Sequence, residues 1–138
     1  MKRVLFDSDV LLDVLAQRQP FVLASAQVLN TVTQGQVIGY VSGHSVTNIF
    51  YILRRQLGCE AAREMLSRLL QRIHIASVTD EVIRSALQSS TTDFEDAVTS
   101  EAAKAASLEV IVTRNKSDFV ASLVPAMLPT EFLATLFE

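Results

Sequence analysis

Three short acidic groups carry the residue types that could do chemistry. Phe6-Asp7-Ser8-Asp9-Val10 sets two carboxylates directly after the apolar run Val4-Leu5-Phe6. Thr92-Asp93-Phe94-Glu95-Asp96-Ala97 gathers three more, and Thr113-Arg114-Asn115-Lys116-Ser117-Asp118-Phe119 follows a second apolar run. Carboxylate oxygens are the ligands that Mg²⁺ and Mn²⁺ prefer, and a divalent ion held among them activates water and offsets charge on an oxyanion. Each group also has a plain structural reading. Asp7-Ser8-Asp9 can be a turn that caps a helix from Val10 to Leu15. Thr92 and Glu95 have the spacing of a capping box, which accounts for Glu95 without any function. Asp93 and Asp96 are less well covered by that reading. At i and i+3 they share a helix face and repel, unless a cation lies between them.

The elements that must position these groups follow from apolar periodicity. Val4–Phe6, Val37–Val41, Ile73–Val78 and Val110–Thr113 read as strands, with Ala126–Leu128 as a weaker fifth. Phe21–Val32, the stripe Val46, Ile49, Phe50, Leu53, Leu57, the stripe Ala62, Met65, Leu66, Leu69, and Thr92–Leu108 read as helices, and Pro129-Thr130-Glu131 as the start of another. Gly58 is a plausible helix stop. Strands alternating with helices imply a mostly parallel sheet covered on both faces. Ligands of such sheets sit beyond the carboxyl ends of the strands. That rule points to Asp7, to Ser42–Ser45 and to Arg114–Asp118, with hydroxyls at Ser8, Ser42, Ser45 and Thr113 able to hold water around an ion. Glu101 falls within the apolar stripe Phe94, Val98, Ala102, Ala105, where a buried ion pair would explain it.

Other signals are thinner. His44 is a possible ligand or base, but beside Ser42 and Ser45 it fits a helix-start turn better, and His74 lies within a strand. Cys59, the single cysteine, has no partner for a disulfide and no relay to make it a nucleophile. No phosphate-binding glycine loop is present, and there are only 4 glycines. Arg54, Arg55, Arg63, Arg68 and Arg72 place positive charge on two helices, as a solvated face or as a surface for a polyanion.

The chain has 138 residues and 49% hydrophobic composition, the size and content of one globular domain spanning 1–138. Its net charge of −3 argues against a module that binds nucleic acid by phosphate neutralisation alone, and less against an enzyme that gathers acids in one pocket. No leader pattern and no apolar run of membrane-spanning length occurs, so the expectation is a soluble cytoplasmic protein.

Taken in order, "VLFDSDVLLD", "SVTNIFYILRR", "DFEDAVTSEAA" and "VTRNKSDF" resemble the PIN-domain family, in the branch with a Thr-Arg-Asn-x-x-Asp-Phe loop, over residues 3 to 133. The resemblance implies a three-layer α/β/α fold with a mostly parallel five-stranded sheet in the order 3-2-1-4-5. It implies an Mg²⁺- or Mn²⁺-dependent ribonuclease, and many bacterial members are toxins of type II toxin–antitoxin pairs. It assigns Asp7, Asp96 and Asp118 as catalytic metal ligands, Asp93 as an additional acid, and Ser8, Asn48, Thr113 and Asn115 as supporting residues. Asn48 and Asn115 stand where many family members carry acids. Arg114, Arg54 and Arg55 are expected to position RNA. One ion is expected, or two roughly 4 Å apart. A homodimer joined through helices bearing Phe50, Leu53, Met65 or Leu69 is expected from the family's habit and from a mean hydropathy of +0.31. Two rivals stand beside this reading. One is a haloacid-dehalogenase-like phosphatase with Asp7 as nucleophile and Asp9 as general acid. The other is a degenerate PIN fold that only binds RNA or protein.

Overall fold

The computed structural model describes residues 1–137; residue 138, the last of the expected domain, lies outside the described residues. The strands are β1 (Lys2–Phe6), β2 (Val37–Ser42), β3 (His74–Ala76), β4 (Val110–Val112) and β5 (Ala126–Met127). They form a parallel sheet in the order β3-β2-β1-β4-β5, so the α/β class and the 3-2-1-4-5 order match expectation. The helices are α1 (Ser8–Leu15), α2 (Val22–Thr33), α3 (Gly43–Leu57), α4 (Cys59–Leu69), α5 (Asp80–Leu87), α6 (Phe94–Ala105) and α7 (Pro129–Thr135). A 3-10 turn spans Lys116–Phe119.

Side chains alternate across the sheet with the period of two that a strand imposes. Val4 and Phe6 of β1, with Val110 and Val112 of β4, pack under α1, α2, α3, α4 and α7. Leu5 and Ile111 point the other way and pack with Ala97, Val98 and Ala102 of α6 and Val82 and Ala86 of α5. Both cores therefore meet at β1, whose last three residues are fully buried. Leu53 and Leu69, expected at a dimer surface, belong to the first core, because the α3 and α4 stripes pack inward.

Local chemistry accounts for the departures from the sequence reading. Helix α5 was not anticipated. The third strand stops at Ala76, not Val78, and Thr79 then accepts from the Val82 amide at 3.2 Å to cap a helix with Asp80 and Glu81 in its first turn. Helix α6 is shorter than Thr92–Leu108, and its cap is Asp93, not Thr92. Its buried stripe runs through Ala97, Val98, Ala102 and Ala103, which leaves Phe94 and Ala105 exposed. Glu101 sits half-buried in a groove with Thr79, Ser85 and Lys104, and among the described residues it joins no ion pair, contrary to the expectation. No helix among the described residues is long and apolar enough to cross a membrane.

Gly39 of β2 sets how closely the first core can pack. A Cβ there would lie 2.7 Å from Phe6 Cε2 and 2.9 Å from methyl carbons of Ile73 and Val32. These neighbours are themselves held in the core, so none can give way cheaply. Gly39→Ala is therefore expected to destabilise the protein by about 1–3 kcal/mol through overpacking, as read by urea denaturation; an unchanged midpoint would contradict this packing account.

Candidate active site

Register decides which residues leave the sheet together. Phe6 is paired with Val112, and Leu5 with Tyr40. The following residues, Asp7, Thr113 and, across β2, Val41-Ser42, therefore emerge along one edge. Asp7 caps α1: its Oδ1 accepts from the Ser8 amide at 2.9 Å and its Oδ2 from the Thr113 hydroxyl at 2.8 Å. Burial, then the neighbouring Asp9 carboxylate, pushes Asp7 up to about 7, and Asp96 adds to the rise. Asp96, in the first turn of α6, is pushed up to about 6 by burial, then by repulsion from Asp93, Asp118, Glu95 and Asp9. Carboxylates from all three sequence groups are thus close enough to disturb one another.

The loop after β4 ties this cluster together. Asp9 Oδ2 accepts from the Asn115 side-chain amide at 2.9 Å and from the Arg114 backbone amide at 3.2 Å, while the Asn115 backbone amide donates to Thr113 Oγ1 at 3.1 Å. Asp9 Oδ1 is buried without a partner, and burial raises the pKa of this carboxyl. Asp118 is exposed on the 3-10 turn, which Phe119 anchors in the second core. Asp93 is exposed and holds the Asp96 amide at 3.1 Å as the α6 cap. Lys116 pairs with Glu131 at 2.9 Å, and Glu131 in turn accepts from the Leu128 amide at the start of α7.

Several expectations need correction. Asp9 is not a cap residue: Asp7 takes that place, and Asp9 instead grips the loop. That enclosure also counts against the phosphatase reading, which needs Asp9 free to pass a proton. Arg114, expected to position RNA, turns inward. Its Nε donates to Asp13 Oδ2 at 2.8 Å, and its guanidinium lies 3.8 Å over the Phe21 ring. Ser42 and Ser45 are buried, so they line no open site. The Ser42 hydroxyl meets His44 Nδ1 at 2.7 Å, and His44 Nε2 meets the Glu95 carbonyl at 3.2 Å. A neutral ring protonated on Nε2 satisfies both contacts, and burial lowers the His44 pKa in keeping with that. His44 is a strut from α3 to the first turn of α6.

Asn48 is half-buried and lines a 330 Å³ cleft with Ser8, Tyr51, Ile52, Arg55 and Glu95. It does not face the core. Arg55 reaches this cleft, whereas Arg54, one position earlier, does not line it. Glu95, which has the spacing of a capping residue, also borders the cleft. Asp13 was also overlooked: an acid directly after Val10-Leu11-Leu12 is the sequence signal of a buried ion pair.

The donor set suits a hard divalent cation in kind and charge. Ionised Asp7 and Asp96 repel their neighbours, and a cation would remove that cost. The set is not closed in advance: among the described residues no three His, Cys, Asp or Glu side chains stand in an arrangement that holds a metal as they are.

A PIN-domain model matches residues 3–117. The chain belongs to the PIN-domain family. No sequence among the curated proteins matches it. Among solved structures it is similar to VapBC-1 from nontypeable Haemophilus influenzae (TM-score 0.71, 10% identity, covering 93% of this chain and 98% of that one). It is also similar to a toxin–antitoxin complex from Klebsiella pneumoniae (TM-score 0.69, 19% identity, 91% and 97% covered). A third is the sarcin–ricin-loop-cleaving toxin VapC20 of Mycobacterium tuberculosis (TM-score 0.63, 14% identity, 78% and 86% covered). At these identities the likeness is one of fold. The PIN fold is typical of nucleases, and its nucleases typically use a divalent metal.

The raised Asp7 pKa has a definite sign. The folded state holds a proton on Asp7 that the unfolded state releases above the ordinary aspartate value of 3.8, so metal-free stability falls as pH rises from about 4 to about 7 and levels off above that. In Asp7→Asn, the Thr113 hydroxyl can turn to accept from the new amide. Urea melts in EDTA should show the variant at least as stable as the parent at pH 8, with a weaker decline between pH 5 and pH 8. A parent whose stability rises over that range more than the variant's would reverse the sign and refute this account.

Proposed function

We propose that the chain is an Mg²⁺- or Mn²⁺-dependent endoribonuclease, with Asp7, Asp96 and Asp118 as the residues that hold the ion and Asp93 assisting. The observation that carries this reading is the meeting of carboxylates from three separate segments at the carboxyl end of β1, with Asp7 pushed up to about 7 and Asp96 to about 6. A bound divalent ion supplies an activated water and offsets charge on the phosphate oxygens. The chain's own residues do the rest. Thr113 and the Ser8 amide fix the direction of Asp7, and Asn115 and the Arg114 amide fix Asp9 behind it. The cleft that opens at Ser8 offers a half-exposed Tyr51 ring for an unpaired base, the Asn48 amide for a base edge, and Arg55 for a phosphate. Stacking combined with cationic contact suits single-stranded RNA.

The solved relatives include toxin–antitoxin complexes, and by that likeness we infer an antitoxin protein as partner and a toxin's role in the cytoplasm. A homodimer is part of the same reading. Its surface would be the 350 Å³ groove lined by Val46, Phe50, Leu66, Ser67 and Leu70, with Arg63 lying 5.8 Å over the Phe50 ring. Light scattering at high micromolar concentration should give twice the chain mass, and Ser67→Arg should halve it; a monomer mass for the parent removes the dimer.

For the chemistry, a single-stranded RNA should be cut in Mg²⁺ or Mn²⁺ and left whole in EDTA. Asp7→Asn and Asp96→Asn should each reduce cleavage by at least about 100-fold. Arg55→Ala should raise KM several-fold with kcat nearly unchanged, the mark of a contact made equally in ground and transition states. Near-native cleavage by either Asp variant would refute the site, and RNA binding without cleavage in any metal would favour the degenerate fold.

A further inference from the structure

Asp13 is fully buried on α1, yet nothing in the proposed chemistry uses it. Its Oδ2 accepts from Arg114 Nε at 2.8 Å and from the Ser25 hydroxyl at 3.0 Å, while its Oδ1 is buried with no partner. A carboxylate so enclosed is strongly unfavourable unless paired. Its partner is the middle residue of Thr113-Arg114-Asn115. On one side of Arg114, the Thr113 hydroxyl meets Asp7 at 2.8 Å; on the other, the Asn115 side chain meets Asp9 at 2.9 Å. The guanidinium is further clamped by the Phe21 ring of the segment that leads into α2. With its side chain only 24% exposed, Arg114 is poorly placed to meet a strand of RNA.

We propose that Asp13 is a positioning residue for the acid cluster: through Arg114 it holds the 113–115 loop where Thr113 orients Asp7 and where Arg114 and Asn115 engage Asp9. Asp13 touches no reacting atom and acts only through Arg114. The pair locks the loop to α1, the helix that Asp7 caps and whose first turn carries Asp9, so one element fixes both sides of the contact. A buried ion pair with no such role could be exchanged for apolar residues without disturbing the loop. The proposal deepens the nuclease reading and rests on it for its activity arm alone.

The test replaces the pair by apolar residues of similar size, Asp13→Leu with Arg114→Met, since such exchanges of buried ion pairs are often neutral or stabilising. Amide hydrogen exchange reads the loop without metal or RNA. Protection of the Arg114 and Asn115 amides should fall at least tenfold, while the amides of β1 and β4 keep theirs. In the activity arm, kcat on single-stranded RNA should fall at least tenfold with KM within about twofold, and Mn²⁺ affinity by calorimetry should weaken at least fivefold. Parent-like loop protection in a folded double variant would overturn the proposal and leave a merely stabilising pair. A raised KM with unchanged kcat would overturn it differently, by making Arg114 an RNA contact. If the apolar pair does not fold, Arg114→Lys answers the same question, because it keeps the charge opposite Asp13 but lacks the fixed Nε–H. It should show the same loss of loop protection, and parent-like protection would again overturn the proposal. A parent that cleaves no RNA refutes the nuclease reading, while the exchange data still decide whether Asp13 holds the loop.

Discussion

The cost of keeping a carboxylate directly after the buried end of β1 governs this molecule. Asp7 follows Val4-Leu5-Phe6, all three without solvent exposure, and lies against Asp9. Two hydrogen bonds, from Ser8 and Thr113, offset part of that cost, and Asp7 is still pushed up to about 7. A carboxyl so placed is either protonated or in need of positive charge. The arrangement of α1, the loop after β4 and the start of α6 makes sense as a set of supports around that one residue.

The supports reach across the fold, as hydrogen bonds and as apolar packing. The loop after β4 joins Asp7 and Asp9 through Thr113, Arg114 and Asn115. The first turn of α6, which carries Asp96, is braced by the Ser42–His44–Glu95 chain from the end of β2. The 3-10 turn that carries Asp118 is pinned by Phe119 in the core beneath α6. The exposed acids Asp93 and Asp118 lie at the rim, with Asp93 holding the Asp96 amide as the α6 cap, while hydrogen bonds from the loop after β4 hold Asp7 and Asp9. Keeping Asp93 and Asp118 exposed limits the repulsion stored around Asp7 and Asp96.

The same frame explains how sequence can diverge so far on one fold. Structures only 10–19% identical to this chain share its topology with TM-scores of 0.69–0.71. A parallel sheet with two cores constrains residue volume and alternation, not identity. Polar residues at the strand ends obey a different constraint, because they must pair with one another across the sheet's edge. At that edge this chain pairs Asp7 with Thr113 and Asp9 with Asn115.

The sequence by itself determined the sheet, its flanking helices and the three acidic segments. Apolar alternation in β1 and β4, the stripes of α3 and α4, and the ordered motifs around Asp7, Asp96 and Asp118 are all local patterns. It missed α5, whose capping residue Thr79 sits just past a strand that ends earlier than its apolar run, and it misplaced the cap of α6. Tertiary structure alone decided which polar groups meet. Asp9 and Asn115 are 106 positions apart, and Asp13 and Arg114 are 101 apart. No spacing rule links such pairs, because their approach is set by the register of β1 on β4, with Phe6 opposite Val112. Periodicity reports which face a residue occupies; only the assembled sheet reports whose side chain it finds there.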